Sequence, residues 1–180
     1  GNYLNWKDSP ASVSLTRLTI MKEVTKKVLQ SVNNLNVGLM RFNNQQGGPV
    51  ILGVTDLDQN RQDVVDAIDS LPANGWTPLS ETLYENALYW RGMPAYYGEL
   101  IDETDTDEDA LASEDPEVYQ QPVWDSCTKN YNVLLTDGQP TRDDDGPIRA
   151  PTLPNFAAAL SRASCTGSGQ GHCLDDIAEY

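Results

Sequence analysis

The run "YNVLLTDGQPT", Tyr131 to Thr141, constrains the fold more than any other stretch of the chain. Tyr131, Val133, Leu134 and Leu135 are apolar and lead directly into Thr136-Asp137-Gly138. A short, mostly apolar run bounded by turn residues reads as a strand covered on both faces, the kind a layered α/β sheet keeps at its centre. Ligands of open parallel sheets bind at the carboxyl ends of the strands, which is where Asp137 falls. The competing reading is a solvated Asp in a turn assisted by Gly138 and Pro140.

The flanking sequence alternates between helical and strand-like patterns. Thr16 to Val32 carries Leu18, Met21, Val24, Val28 and Val32 at helical spacing. Asn36–Phe42 and Pro49–Val54 read as strands that a hairpin can join across "NNQQGG". Asp56, Asp58 and Asn60 read as a turn, with Asn60 capping a helix whose face is Val64, Ile68 and Leu71. Thr77 precedes Pro78, a favoured first helical residue, and Leu79, Leu83, Ala87 and Leu88 form the buried side of that helix. Short helices are expected at Asn155–Ser161 and from Leu174. This order predicts an α/β layered sheet flanked by helices, in a single domain over residues 1–180.

Charge separates the chain into an ordinary part and an acidic part. Ten of the 27 acidic residues lie between Glu99 and Glu117 without a base, leaving 17 acids against 12 bases elsewhere. This predicts an acidic insertion at 93–128, peripheral and loosely held. Asp105, Asp107 and Asp109 alternate as in a calcium loop, but Ala110 and Pro116 stand where an EF-hand needs Gly and Glu. A net charge of −15 argues against nucleic acid, whose phosphates need Lys and Arg, and against a polybasic membrane anchor. No apolar stretch approaches the roughly 20 residues of a membrane-spanning helix.

Cys165 and Cys173 flank the Gly-rich "TGSGQGH", which bends readily enough to close a small disulfide loop in an oxidising compartment. Zinc held by Cys165, His172 and Cys173 is the alternative; adjacent ligands and a missing fourth weaken it. Cys127 stays unassigned.

Two motifs bear on function together. "GWTPLSETL" places the Thr77 hydroxyl at a helix start, and "LLTDG" places Asp137 at a strand end. Oxygen donors of this kind suit a hard divalent cation. The pair resembles the von Willebrand factor A domain and its metal-ion-dependent adhesion site, Thr77 matching the second element and Asp137 the third. The Asp-x-Ser-x-Ser element is not found: Asp8-Ser9-Pro10-Ala11-Ser12 lacks its central Ser. The first strand is therefore expected before Gly1, and later strands after Tyr180.

A longer set of motifs adds to this: "GNYLNW" (1–6), "NVGLMRFNNQQGG" (36–48), "GWTPLSETLYE" (75–85), "NYNVLLTDGQPT" (130–141) and "GSGQGHCLDDIA" (167–178). Together they are similar to the N-terminal region of PilC/PilY-type type IV pilus adhesins. The resemblance implies a non-enzymatic module acting in pilus assembly, surface attachment and twitching motility. It further implies an extracellular place at the pilus tip or outer membrane, minor pilins and a host or abiotic surface ligand as partners, and Mg or Ca as the cation. Alternatives are a structural A-type module without metal and a metal-dependent phosphohydrolase. The sequence offers the latter no phosphate loop and no nucleophile with a base.

Overall fold

The structure, a computed structural model, describes residues 14–100, 106–122, 127–136 and 138–180. The chain divides between Val32 and Asn33 into two units. In the first, α1 (Arg17–Ser31) forms where the periodicity predicts it. The Thr16 hydroxyl caps it by accepting the Thr19 N–H at 3.1 Å. None of its residues is buried; Ile20, Val24 and Val28 are exposed.

The second unit begins with an antiparallel hairpin, β1 (Asn36–Met40) and β2 (Val50–Asp56), in the register Asn36–Asp56, Val37–Thr55, Leu39–Leu52 and Met40–Val50. Helix α2 (Leu57–Ser70) packs on it through Leu57, Val64 and Ile68. Asp56, not Asn60, is its N-cap, accepting the N–H groups of Asp58 and Gln59. The helix thus starts earlier than predicted. Asn60 sits inside it with non-helical angles, donating its side-chain amide to the Thr55 hydroxyl at 2.7 Å. A carboxylate accepts two N–H groups at a helix start more readily than an amide does, which explains the exchange of roles.

Helix α3 (Leu79–Arg91) is the hub. Gly92 ends it in the left-handed conformation, its N–H reaching back to Leu88 and Tyr89. Its predicted stripe is inside, with Leu83 only partly so, but Ser80, Glu81, Thr82, Tyr84, Glu85 and Tyr89 are buried as well. The helix is therefore wrapped on nearly all sides, and its tyrosines do much of the packing. Tyr84 meets Tyr97 edge-on at 6.2 Å, and Tyr89 meets Tyr119 at 5.3 Å. The Val54 N–H donates to the Tyr89 hydroxyl at 2.7 Å, tying β2 to α3.

After α4 (Tyr97–Leu100), a 3₁₀ turn at Glu108–Ala110 leads into a second hairpin, β3 (Leu111–Ala112) with β4 (Asp115–Tyr119). Helices α5 (Gly146–Arg149), α6 (Phe156–Leu160) and α7 (Leu174–Glu179) follow, and Phe156, Leu160 and Ile177 join the same core. Among the described residues the architecture is mixed α/β with two small antiparallel sheets.

Two further expectations are corrected. Tyr131–Thr136 is neither a strand nor buried: Tyr131 is 76% exposed, Val133 81% and Leu135 49%. An apolar run becomes a covered strand only where neighbouring strands take up its N–H and C=O groups. The ladders among the described residues pair β1 with β2 and β3 with β4, and neither includes this run.

The acidic stretch, in turn, is not peripheral where it is described. Ala110 and Tyr119 are core residues at 1% and 2% exposure. The Asp107 N–H donates to the Val50 carbonyl and its carboxylate accepts the Gly53 N–H, both at 2.7 Å. Pro94 bridges Val118, with Ala95 donating to the Glu117 carbonyl at 2.8 Å. Backbone pairing and one tyrosine hold what composition marks as solvated. Residues 101–105, Asp105 among them, lie outside the described residues.

Cys165 and Cys173 form the expected disulfide, with Cα atoms 5.1 Å apart. Their sulfurs lie with the Asp176 carboxylate in a group that fits a metal by distance, but they are bonded to each other, which removes them as zinc ligands. Reduction is expected to lower stability by about 2–3 kcal/mol, because it returns to the unfolded chain the entropy that closing this short loop removes. Urea unfolding with and without a phosphine reductant measures it. A loss below about 1 kcal/mol would show that the loop holds its shape without the bond.

Candidate functional site

Four loops meet at the N-terminal end of α3: residues 43–48, 75–80, 138–146 and 169–173. Asp143 is fully buried and plays the part of an N-cap supplied from a distant loop. Its carboxylate accepts the Ser80 N–H at 2.8 Å, the Glu81 N–H at 3.1 Å and the Ser80 hydroxyl at 2.5 Å. A negative group belongs here, where unpaired N–H groups and the helix dipole converge. The Asp143 N–H in turn donates to the Gln170 side-chain oxygen at 2.7 Å, drawing in the disulfide-closed loop.

In the same first turn of the helix, Glu81 is also fully buried. It accepts N–H groups from Gly47 at 2.9 Å, Asp144 at 3.2 Å and Asp145 at 3.1 Å, joining two loops to one side chain. Gly47 is required for that approach. Its φ is +57°, and a Cβ there would lie 2.2 Å from the Tyr97 ring. Burial, reinforced by the charges of Asp143 and Asp145, pushes the Glu81 carboxyl up to about 7 against the pull of its N–H donors.

One further turn on, Glu85 accepts the N–H groups of Tyr96, Tyr97 and Gly98 and the Tyr119 hydroxyl, at 2.6–3.1 Å. Burial raises its carboxyl also. Asp176 is likewise inaccessible, but its partners include a cation. Burial opposes its ionisation, while the Thr166 N–H and Arg162 guanidinium hold its carboxyl below the usual range.

The raised Glu81 predicts a pH dependence of stability. Its ordinary value is 4.5, so between about pH 4.5 and 7 the folded state holds the proton more tightly than the unfolded state. Its contribution is fully present below that window and is lost as pH rises through it. Denaturant midpoints at intervals from pH 4.5 to 8 test this against Glu81→Gln, which does not titrate. Wild type should lose stability relative to the variant across the window and run parallel to it above pH 7. Parallel curves throughout would refute the assignment.

The predicted metal residues fall at the edge of this framework. Thr77 pairs with Thr141: the Thr141 N–H donates to the Thr77 carbonyl at 3.1 Å, and the Thr77 N–H to the Thr141 hydroxyl at 3.0 Å. Thr77 is half-buried, and no hydrogen bond engages its hydroxyl among the described residues. That oxygen suits Mg or Ca as a neutral ligand. Asp137 lies outside the described residues. The bridge joins the Thr77 loop to Thr141, four positions beyond Asp137 in sequence.

Sequence reasoning missed Asp143, Glu81 and Glu85. A usable signal existed: α3 carries Glu81 and Glu85 with no Lys or Arg before Arg91, and aromatic residues at Tyr84, Tyr89 and Trp90 outside the predicted stripe. A helix with apolar bulk on several faces is buried all round, and its acids then need internal donors. No protein-family model, curated protein or solved structure matches the chain.

Proposed function

We propose that the chain is a non-enzymatic binding module of von Willebrand factor A type. In this reading it serves adhesion and assembly at the tip of a type IV pilus, outside the cell, with Thr77 and Asp137 contributing oxygens to a Mg or Ca ion. Minor pilins and a surface ligand are its partners. The observation that carries the reading is the Thr77–Thr141 bridge, which fixes the Thr77 loop against the segment that follows Asp137. The disulfide is in keeping with an oxidising compartment.

A second reading, an A-type module that holds no metal, draws on the buried acids. Asp143 and Glu81 are satisfied by N–H and hydroxyl donors, so the loops keep their positions without a cation.

Calorimetric titration of the full-length protein with calcium, magnesium and manganese separates the two. On the first reading, wild type binds one of these ions, and Thr77→Ala and Asp137→Ala each weaken it about tenfold or more, a loss of at least 1.4 kcal/mol, with circular dichroism unchanged. Unaltered affinity in both folded variants would remove these residues from the site, and no binding by wild type would favour the second reading.

A further inference from the structure

We propose that the cleft beside the Thr77–Thr141 bridge is a saccharide subsite, taking one ring of a neutral, polyhydroxylated ligand through Arg142, Gln45, Gln46 and Asp144. The proposal rests on the reading of the chain as a binding module, but not on its cation.

The position of Arg142 is the first observation. Its neighbours are pinned on both sides, Thr141 by the bridge to Thr77 and Asp143 by its buried contacts with Ser80 and Glu81. Between them the Arg142 backbone takes φ +51°, a left-handed conformation that L side chains seldom adopt. The side chain is exposed, and its guanidinium lies 4.6 Å from the centroid of the Trp76 ring. No carboxylate pairs with it among the described residues, although the chain carries a net charge of −15. Strain of this kind persists where the surroundings enforce it, and it gathers at ligand sites. Trp76, itself 46% exposed, is the platform that keeps the planar fork in place.

The cleft lining is the second observation. Gln45, Gln46, Arg142 and Asp144 line an open cleft of about 220 Å³. That is less than the roughly 300–1,000 Å³ of pockets for drug-sized ligands, so it suits a single ring. One positive and one negative side chain cancel, and two amides add none, so the lining selects neither an anion nor a cation. It offers guanidinium donors, carboxylate acceptors and amides that do both. Sugar hydroxyls donate and accept in the same way. Gln46 donates to Asp145 at 3.3 Å and Gln170 donates to Asp144, so two of the lining side chains are already oriented.

The test is saturation-transfer NMR on the whole protein in EDTA. The probes are methyl glycosides of glucose, galactose, mannose and N-acetylglucosamine, with methyl glucuronide, inorganic phosphate and a short neutral peptide alongside. At least one neutral glycoside should bind wild type. Arg142→Gly, which removes the guanidinium while suiting the positive φ, should weaken it at least fivefold, and Trp76→Ala should do likewise by releasing the platform. Silence from every neutral glycoside, binding of the anions or the peptide alone, or wild-type affinity in both folded variants would each overturn the proposal. Because EDTA removes divalent ions, failure here leaves the cation reading standing, and failure of the metal titration leaves this one.

Discussion

Replacing Glu85 with alanine is expected to destabilise the protein by roughly 3–5 kcal/mol, the scale for stripping several buried donors of a shared acceptor. Three consecutive N–H groups, of Tyr96, Tyr97 and Gly98, would lose their acceptor together with the Tyr119 hydroxyl. Each buried donor left bare costs about 1–3 kcal/mol, and relaxation returns part of the total. Glu85→Gln should cost less, roughly 1–3 kcal/mol, since its carbonyl still accepts from Tyr96, Gly98 and the Tyr119 hydroxyl while its NH₂ faces the Tyr97 N–H, which only donates. Because α4 and β4 both hang from this one side chain, amide exchange should quicken first at Tyr96–Gly98 and Tyr119. A loss under about 1 kcal/mol for Glu85→Ala, measured by urea unfolding, would mean that water replaces the carboxylate.

The second large effect is expected at Asp143, whose removal should cost roughly 2–4 kcal/mol. A lost N-cap accounts for about 0.5–2 kcal/mol, and the buried location raises this. Asp143→Ala leaves the N–H groups of Ser80 and Glu81 without their partner. Asp143→Asn keeps one oxygen and should recover about half. Exchange at Ser80 and Glu81 should accelerate while the α2 core at Val64 and Ile68 stays protected, because those residues pack against the hairpin. Equal acceleration in both places would show that Asp143 supports the whole unit and not one helix start.

Periodicity carried the sequence reading where side chains alone decide structure. The helix at Thr16–Val32, the Leu79–Leu88 stripe and the hairpin before Asp56 each follow from how apolar residues repeat. The Cys165–Cys173 bridge followed from spacing and a flexible linker. What stayed hidden depends on partners distant in sequence. Asp143 meets Ser80 across 63 positions, and Asp107 meets Gly53 across 54. A carboxylate that accepts backbone N–H groups leaves no repeating trace, because any residue but proline supplies the donor. Tyr131–Leu135 failed for the converse reason: its composition states a preference for cover, and cover comes from elsewhere. The place of Thr77 just before a helix was legible, while the left-handed backbone of Arg142 was not, because no side-chain pattern announces it.

The buried acids carry one consequence for the molecule in solution. Among the described residues, Glu81, Glu85 and Asp143 take their direct hydrogen bonds from amides and hydroxyls, with no ammonium or guanidinium among the donors. Fixed dipoles at contact distance are not neutralised by mobile ions, whose screening works over about 10 Å at 0.1 M salt and chiefly on exposed charge. The strongly negative exterior will therefore respond to ionic strength, easing its self-repulsion as salt rises. The loops around the α3 terminus will not, so the face they present should be the same in dilute and in concentrated brine.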